Sequence, residues 1–373
     1  MSLDGVLFWV GAVPLLLLIL VPLVLIHELG HFIVARIVKI RVLEFGLGFP
    51  PKAKTLGHDH ETEYTLNWLP IGGFVRLEGE EENSDDPRAF TNAPLRNQLL
   101  VLVAGVAMNV LTAAFLLFIV AWAFNPITAP TITLSNDPAD MNTPARVAGL
   151  QDGETLISID GQPFATQSVL EFSSTDPTTA WRQQLLSHQG EKVELVIADT
   201  SGKQRTVEVQ LRVPDATHAG ALGVALGSIV NSPGNPGQAV GLAVNGTGKA
   251  MGLILVALGD IGKQIATNPT SGPQGVQGPV GIASDVGHVA SQPNALMLLL
   301  LMMAVISANL ALVNVLPFPP LDGGKMVIMV LKRVFKSEGV GRVETFAYLA
   351  GFAFLIAFIS WITFFDVTRG GTP

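Results

Sequence analysis

Cysteine is absent from the 373 residues, which excludes disulfides, thiolate-ligated zinc and a thiol nucleophile. Charge is scarce: 14% of the chain is Asp, Glu, Lys or Arg, against about 25% in soluble domains. The formal net charge is −8, which gives no footing for binding nucleic acid. Met1 to Gly5 carries Asp4 but no Lys or Arg. The basic start of a cleavable signal peptide is therefore missing, and the first apolar run is expected to be retained. There is no Gly-x-Ser-x-Gly and no Gly-x-Gly-Asp with a second intramembrane aspartate, so serine and aspartyl protease chemistry lack residues to carry them.

What fills the chain instead is apolar. Hydrophobic residues make up 49% and mean hydropathy is +0.46. Four runs are long enough to cross a bilayer as helices: about 6–35, 95–124, 296–316 and 344–365. The connection after the first run carries Arg36, Lys39, Arg41, Lys52, Lys54, Arg76, Arg88 and Arg96; that after the third carries Lys325, Lys332, Arg333, Lys336 and Arg342. Basic loops stay in the cytoplasm. Both connections are expected there, with both termini and the long segment between the second and third runs outside.

At the end of the first run stands His27-Glu28-Leu29-Gly30-His31. Histidines at i and i+4 share one helical face, so both imidazoles can reach one metal ion, and Glu28 beside them can serve as a general base. Such a motif arises by chance on soluble helices. Ionisable groups in a membrane helix, however, cost roughly 2.5–3.5 kcal/mol each even on the gentler scales, and usually mark a site. A catalytic zinc site needs a third protein ligand. Asp322 closes the third run in Asn314-Val315-Leu316-Pro317-Phe318-Pro319-Pro320-Leu321-Asp322-Gly323-Gly324 and is the only acid between Asp285 and Glu338. Alone, Asp-Gly after Pro-Pro is ordinary turn chemistry; opposite a His-Glu-x-x-His motif on another membrane helix, it reads as a ligand.

The two motifs together resemble the site-2 protease family of intramembrane zinc metalloproteases, in its bacterial form with a single PDZ domain. The resemblance implies an α-helical polytopic membrane protein of four transmembrane helices, with a membrane-associated β-hairpin or sheet and one extracytoplasmic PDZ domain of α+β type. It implies Zn²⁺ on His27, His31 and Asp322, with Glu28 as the base. The organisation expected is a first half of the membrane core at 1–124, a PDZ domain at 131–214, an extracytoplasmic or interfacial connection at 215–295, and a second half at 296–373. The active site falls near the cytoplasmic side of what the resemblance makes a bacterial inner membrane. Partners are the bilayer and transmembrane segments of single-span proteins, such as anti-sigma factors or remnant signal peptides; oligomeric state stays open. The competing classes are a zinc-binding membrane transporter and an inactive PDZ-bearing scaffold. Transport calls for polar groups at successive depths, and the intact Glu28 argues against an inactive scaffold.

Lesser similarities run through the chain. Short strands are expected at Val42–Gly48, Ala53–Leu56, Glu63–Trp68 and Gly72–Leu77, separated by Gly and Pro. The segment Glu63 to Arg76 is similar to the family's LPLGGYVK hairpin, a sheet dipping into the membrane. A soluble cytoplasmic hairpin fits the residues equally. If the sheet dips, a free edge at Glu63–Trp68, including Tyr64 and Leu66, would suit peptide capture. Asn109, in a segment where Val106 replaces the family proline, is a hydrogen-bonding group near the site or an interhelical packing contact. Asn314 and Asn309 in the third run either hydrogen-bond between helices or, as the resemblance implies and most of all for Asn314, hold substrate backbone. Pro144 to Gly161 resembles a PDZ core with Glu154 in place of the usual aspartate, and its peptide-binding loop is expected within Thr131–Thr143. Gly248–Ile261 is apolar but short between Lys249 and Lys263, and reads as an interfacial helix. Gly278–Ala283 is similar to the family's GPIGIA segment. Gly79–Pro87 is a solvated acidic loop; His58 and His60 could bind a second metal but read first as an exposed polar turn, and His188, His218 and His288 are surface residues.

Overall fold

The computed structural model describes residues 3–80, 84–134, 142–172, 176–214, 220–232, 234–267, 276–335 and 340–368. Part of the acidic loop (81–83), most of the expected peptide-binding loop (135–141), His218 and Lys336 lie outside the described residues. The chain forms two compact units, one of residues 1–117 with 247–373 and the other of 118–246.

The first unit is helical, with one small sheet. Helix α1 (Leu3–Ile37), α2 (Leu95–Ala123), α7 (Ala295–Val315) and α9 (Val340–Thr368) match the four expected spans. In lipid the backbone has no other solvent, so apolar runs of this length close their own hydrogen bonds as helices. Val10, Leu18, Ile33 and Ile37 on α1, and Phe346, Leu349 and Phe352 on α9, are exposed as lipid-facing side chains would be. The chain is an integral membrane protein. α2 runs unbroken through Val106, as the missing proline predicts.

A fifth helix also qualifies by length and composition. α5 is Pro236–Thr267, 32 residues, and not the short piece expected at 248–261. Its lysines and glycines interrupt the apolar run without ending the helix. α6 (Pro279–Ala290) begins inside the Gly278–Ala283 segment, with Pro279 at its first position, and the Asp366 carboxylate of α9 accepts from Gly281 N–H at 2.9 Å. α8 (Asp322–Phe335) follows the Pro319-Pro320 break.

β1 (Val42–His58) and β2 (Glu63–Leu77) are bent strands whose arms make a small sheet. Residues 42–47 pair with 77 back to 73, and 52–58 with 67 back to 63. Glu44, Phe45, Gly46 and Leu47 also run beside Glu63, Tyr64, Thr65 and Leu66, with both numbers rising together. The four expected strands are therefore present as arms, but Glu63–Trp68 is not the free edge expected of it. Glu63 to Leu66 has strand neighbours on both sides, and the arm with a single strand neighbour near α1 is Gly72–Leu77. Alternation tells which face a residue takes, not which strand lies beside it.

The second unit holds a seven-stranded antiparallel arrangement. Its strands are β3 (Pro126–Thr133), β4 (Thr155–Ile159), β5 (Gln162–Pro163), β6 (Gln167–Ser168), β7 (Lys192–Ala198), β8 (Gln204–Gln210) and β9 (Ala225–Asn231). The order is β6-β3-β4-β7-β8, with β5 on β4 and β9 on β3. α3 (Pro144–Val147) and α4 (Pro177–Leu186) complete it. Its core gathers Trp181, Ile159, Leu156, Leu195, Ile197 and Leu222, all nearly inaccessible. The Asp160-Gly161 pair makes the expected tight turn, both residues at positive φ (46° and 78°) as a two-residue hairpin turn requires. Glu154 is buried; its carboxylate accepts from Gln151 N–H and from the Arg205 guanidinium at 2.9 Å. The sheet extends beyond the expected 131–214 at both ends: Pro126 pairs with Asn231, and Ala221 and Leu222 belong to the core. Residues 220–231 are thus part of this unit and not of a connection.

Candidate metal centre

One turn of α1 separates His27 from His31, and their rings meet edge to face at 4.6 Å with Nε2 atoms 3.0 Å apart. Asp322, the first residue of α8, brings Oδ2 to 3.0 Å from His27 Nε2 and 3.3 Å from His31 Nε2. All three side chains are buried. No other group of three or more potential ligands gathers in this way among the described residues.

Two glycines let α2 come this close to α1. Any Cβ on Gly30 would meet the Ala104 carbonyl oxygen, at 2.5 Å, and one on Gly105 would strike both imidazoles. α2 then supplies a partner for each ring. His31 Nδ1 donates to the Val101 carbonyl at 2.8 Å. His27 Nδ1 lies 3.3 Å from the Asn109 amide nitrogen, while Asn109 Oδ1, fully buried, has no hydrogen-bond partner. With the amide turned over, His27 Nδ1–H donates to Oδ1, the tautomer that leaves Nε2 free. Ser307 of α7 donates to the Asn109 backbone carbonyl at 2.8 Å.

This arrangement tests the donor set for zinc. With both Nδ1 atoms protonated, both Nε2 atoms present lone pairs to each other and to a carboxylate oxygen at about 3 Å. Neutral, such a cluster repels; a cation among the three relieves it. Zn²⁺ held at about 2.0–2.2 Å by two imidazoles and a carboxylate sets its ligands roughly 3.3–3.5 Å apart. The donors fit that ion, and each histidine has the ring partner typical of a metal-binding imidazole.

Glu28 turns toward the sheet, where its Oε2 accepts from Val75 N–H at 3.1 Å. That bond holds the carboxylate beside the histidines on the edge of the Gly72–Leu77 arm. Of the remaining expected residues, Asn109 joins the cluster. Asn314 is half-buried near the end of α7, and Asn309 is exposed; neither is hydrogen-bonded to the cluster among the described contacts. Tyr64 lies inside the sheet, against the Phe32 and Phe45 rings, and its hydroxyl donates to Asp59 at 3.3 Å. Leu66 pairs with Leu47 on one side and Lys54 on the other. Both have the neighbours of an inner strand. His58 and His60 are exposed and stand outside the cluster. His188 faces Glu191, and His288 bonds the Ser284 carbonyl. Sequence reasoning missed Val75, Val101, Gly105 and Ser307. Gly105 alone left a signal, a glycine beside Asn109 in a membrane helix.

Residues 15–358 match peptidase family M50. A Clostridium acetobutylicum protein named as a zinc metalloprotease is 30% identical over 349 residues, covering 92% of this chain and 94% of its own. A Clostridium perfringens protein of the same designation is 31% identical over 345 residues, with 92% and 95% covered. One from Brucella suis is 27% identical over 384 residues, 96% and 95%. The chain belongs to peptidase family M50, the site-2 protease family, and is a zinc-dependent metalloprotease.

Proposed function

We propose that the protein is an intramembrane endopeptidase that cuts transmembrane segments of single-span proteins, with anti-sigma factors or remnant signal peptides as its substrate class. His27, His31 and Asp322 hold the zinc and Glu28 is the catalytic base. The observation that carries this is the convergence of two imidazole nitrogens and a carboxylate, beside Glu28, on membrane helices. Zinc bound there supplies a Lewis acid toward the scissile carbonyl and lowers the pKa of water. Glu28 handles the proton: with Oε2 engaged by Val75 N–H, Oε1 takes it up and delivers it to the leaving amine. The substrate, unwound, adds as a strand at the Gly72–Leu77 arm, where Gly73 and Val75 turn their backbone groups to the same side. Asn314 and Asn309 hold further substrate backbone.

Chain direction supports four spans. Asn109 meets His27 and Val101 meets His31, so α2 runs antiparallel to α1. A Cβ on Gly287, near the end of α6, would meet Phe8 and Ala12 near the start of α1, and the start of α6 meets Asp366 near the end of α9. The end of α6 therefore sits at the level of the α1 N-terminus, which α2 also reaches. A single crossing by α5 between them would leave the chain on the wrong side. α6, 12 residues and about 18 Å long, cannot cross back over about 30 Å. α5 accordingly lies in the interface. The basic connections put the zinc site near the cytoplasmic face of a bacterial inner membrane. The 118–246 unit is extracytoplasmic, a PDZ domain that screens substrates by their external portion.

The test is purified Glu28→Gln protein with a single-span substrate. Zinc and fold are retained and cleavage is lost; undiminished cleavage overturns the assignment.

A further inference from the structure

Asp322 and Glu28 reach the site on different carriers. Asp322 opens α8, just past a proline break, and Glu28 is fixed by Val75 on the outer arm of β2. Lys325, one turn after Asp322 on the same face of α8, joins these carriers: its Nζ donates to Glu80 Oε1 at 2.8 Å. Glu80 lies three residues beyond the end of β2, where its N–H bonds the Leu77 carbonyl and Glu78 N–H bonds the Arg41 carbonyl. The same face of α8 carries Met326 and Met329, packed on the cluster of Ala35, Ile40, Val42, Leu77 and Phe90. Apolar packing lets a helix slide and turn; one charged hydrogen bond at its first turn fixes both.

We infer that Lys325 and Glu80 form a latch that sets the position of Asp322 relative to Glu28, so that both are positioning residues for peptide cleavage. The pair makes no hydrogen bond to the three ligand atoms or to the base, although the Lys325 ammonium acts through space on Asp322 and Glu28. It holds the first turn of α8 to the strand that anchors Glu28, across 245 residues of sequence. Side-chain exposure of 33% and 20% leaves the pair neither freely solvated nor sealed in the core. Breaking it is thus compatible with a folded chain. Arginine keeps the charge and the reach of Lys325, whereas methionine keeps only the packing of its stem.

This inference rests on the roles of Glu28 and Asp322 proposed above, and its test separates the two. Full-length protein in lipid nanodiscs, loaded with zinc, is assayed on one single-span substrate as Glu80→Gln, Lys325→Met, the double variant, Lys325→Arg and Glu28→Gln. Each single latch variant lowers kcat about tenfold, with KM within about twofold and zinc content unchanged. The double variant is no slower than either single, as residues acting as one unit require. Lys325→Arg keeps most of the rate. Should Lys325→Met lose zinc or unfold, Glu80→Gln, which leaves α8 intact, decides. Singles at full rate, losses that multiply to about a hundredfold, or Lys325→Arg as slow as Lys325→Met each overturn the latch. Cleavage by Glu28→Gln overturns the catalytic reading instead.

Discussion

Gly105 leaves room for His31: a Cβ there would lie 2.5 Å from His31 Nε2 and 2.8 Å from His27 Cε1. Contacts that short do not occur, and the neighbours are the rings whose positions define the donor set. Gly105→Ala should therefore push α2 from α1 or turn the imidazoles from one another. The expected outcome is zinc affinity reduced by at least about tenfold, read by competition with a chelator, in a protein that keeps its helical circular dichroism. Unchanged affinity would mean that the helices separate without disturbing the histidines.

Asn109 is the second test of the same cluster. If its Oδ1 accepts from His27 Nδ1–H, it fixes the tautomer that leaves Nε2 free for metal. Asn109→Ala removes that partner and should weaken zinc binding by about 10–100-fold. The Ser307 bond to the Asn109 backbone carbonyl survives the substitution, so helix packing is largely kept. Zinc affinity equal to that of the unaltered protein would remove the orienting role.

The 118–246 unit has its two ends together. Pro126 and Asn231 are paired across β3 and β9, and Ser232 N–H bonds the Phe124 carbonyl, so the two ends leave the domain side by side. Residues 126–231 can be replaced by a short Gly-Ser linker without stretching either flank. Cleavage of a substrate with a short external tail should persist, and discrimination against a bulky tail should relax by about tenfold or more in kcat/KM. If all cleavage disappears while the membrane part stays folded, the domain is structural and does not screen.

The convergence of His27, His31 and Asp322 was legible because helical periodicity makes local geometry out of spacing. His27 and His31 had to share a face, and Asp322 stood alone among acids over a long apolar stretch. The four main spans followed from composition in the same way. The inner position of Glu63–Leu66 was not legible, since alternation is identical in an inner and an edge strand. Nor were Val75 on Glu28 and Glu80 on Lys325, which join residues 47 and 245 positions apart through backbone or charge that any sequence could supply. The length of α5 was hidden by glycines and lysines that a helix tolerates. The 131–214 boundary fell short because β9 returns to pair with β3 after a segment with no strand-like pattern.

How a helical substrate is opened is the last point to test. A helix hides its carbonyls in i→i−4 hydrogen bonds, so the segment to be cut must unwind first. In lipid each freed backbone group left unpaired costs several kcal/mol, and about 1.4 kcal/mol already changes a rate tenfold. The Gly72–Leu77 arm is the strand edge beside Glu28, in place of the Glu63–Trp68 stretch that sequence pointed to, whose Glu63–Leu66 part is inner. Gly73→Ala puts a Cβ 2.7 Å from the Gly46 carbonyl oxygen and 2.6 Å from Leu25 Cδ2, so it displaces that arm from its place beside β1 and α1. It should slow single-turnover cleavage by about tenfold, as should Asn314→Ala. Both effects should be larger on an all-Leu substrate segment than on one with Gly or Pro near the cut, because the second is already partly unwound. Equal rates on the two substrates, untouched by either substitution, would show that neither unwinding nor strand capture limits the reaction.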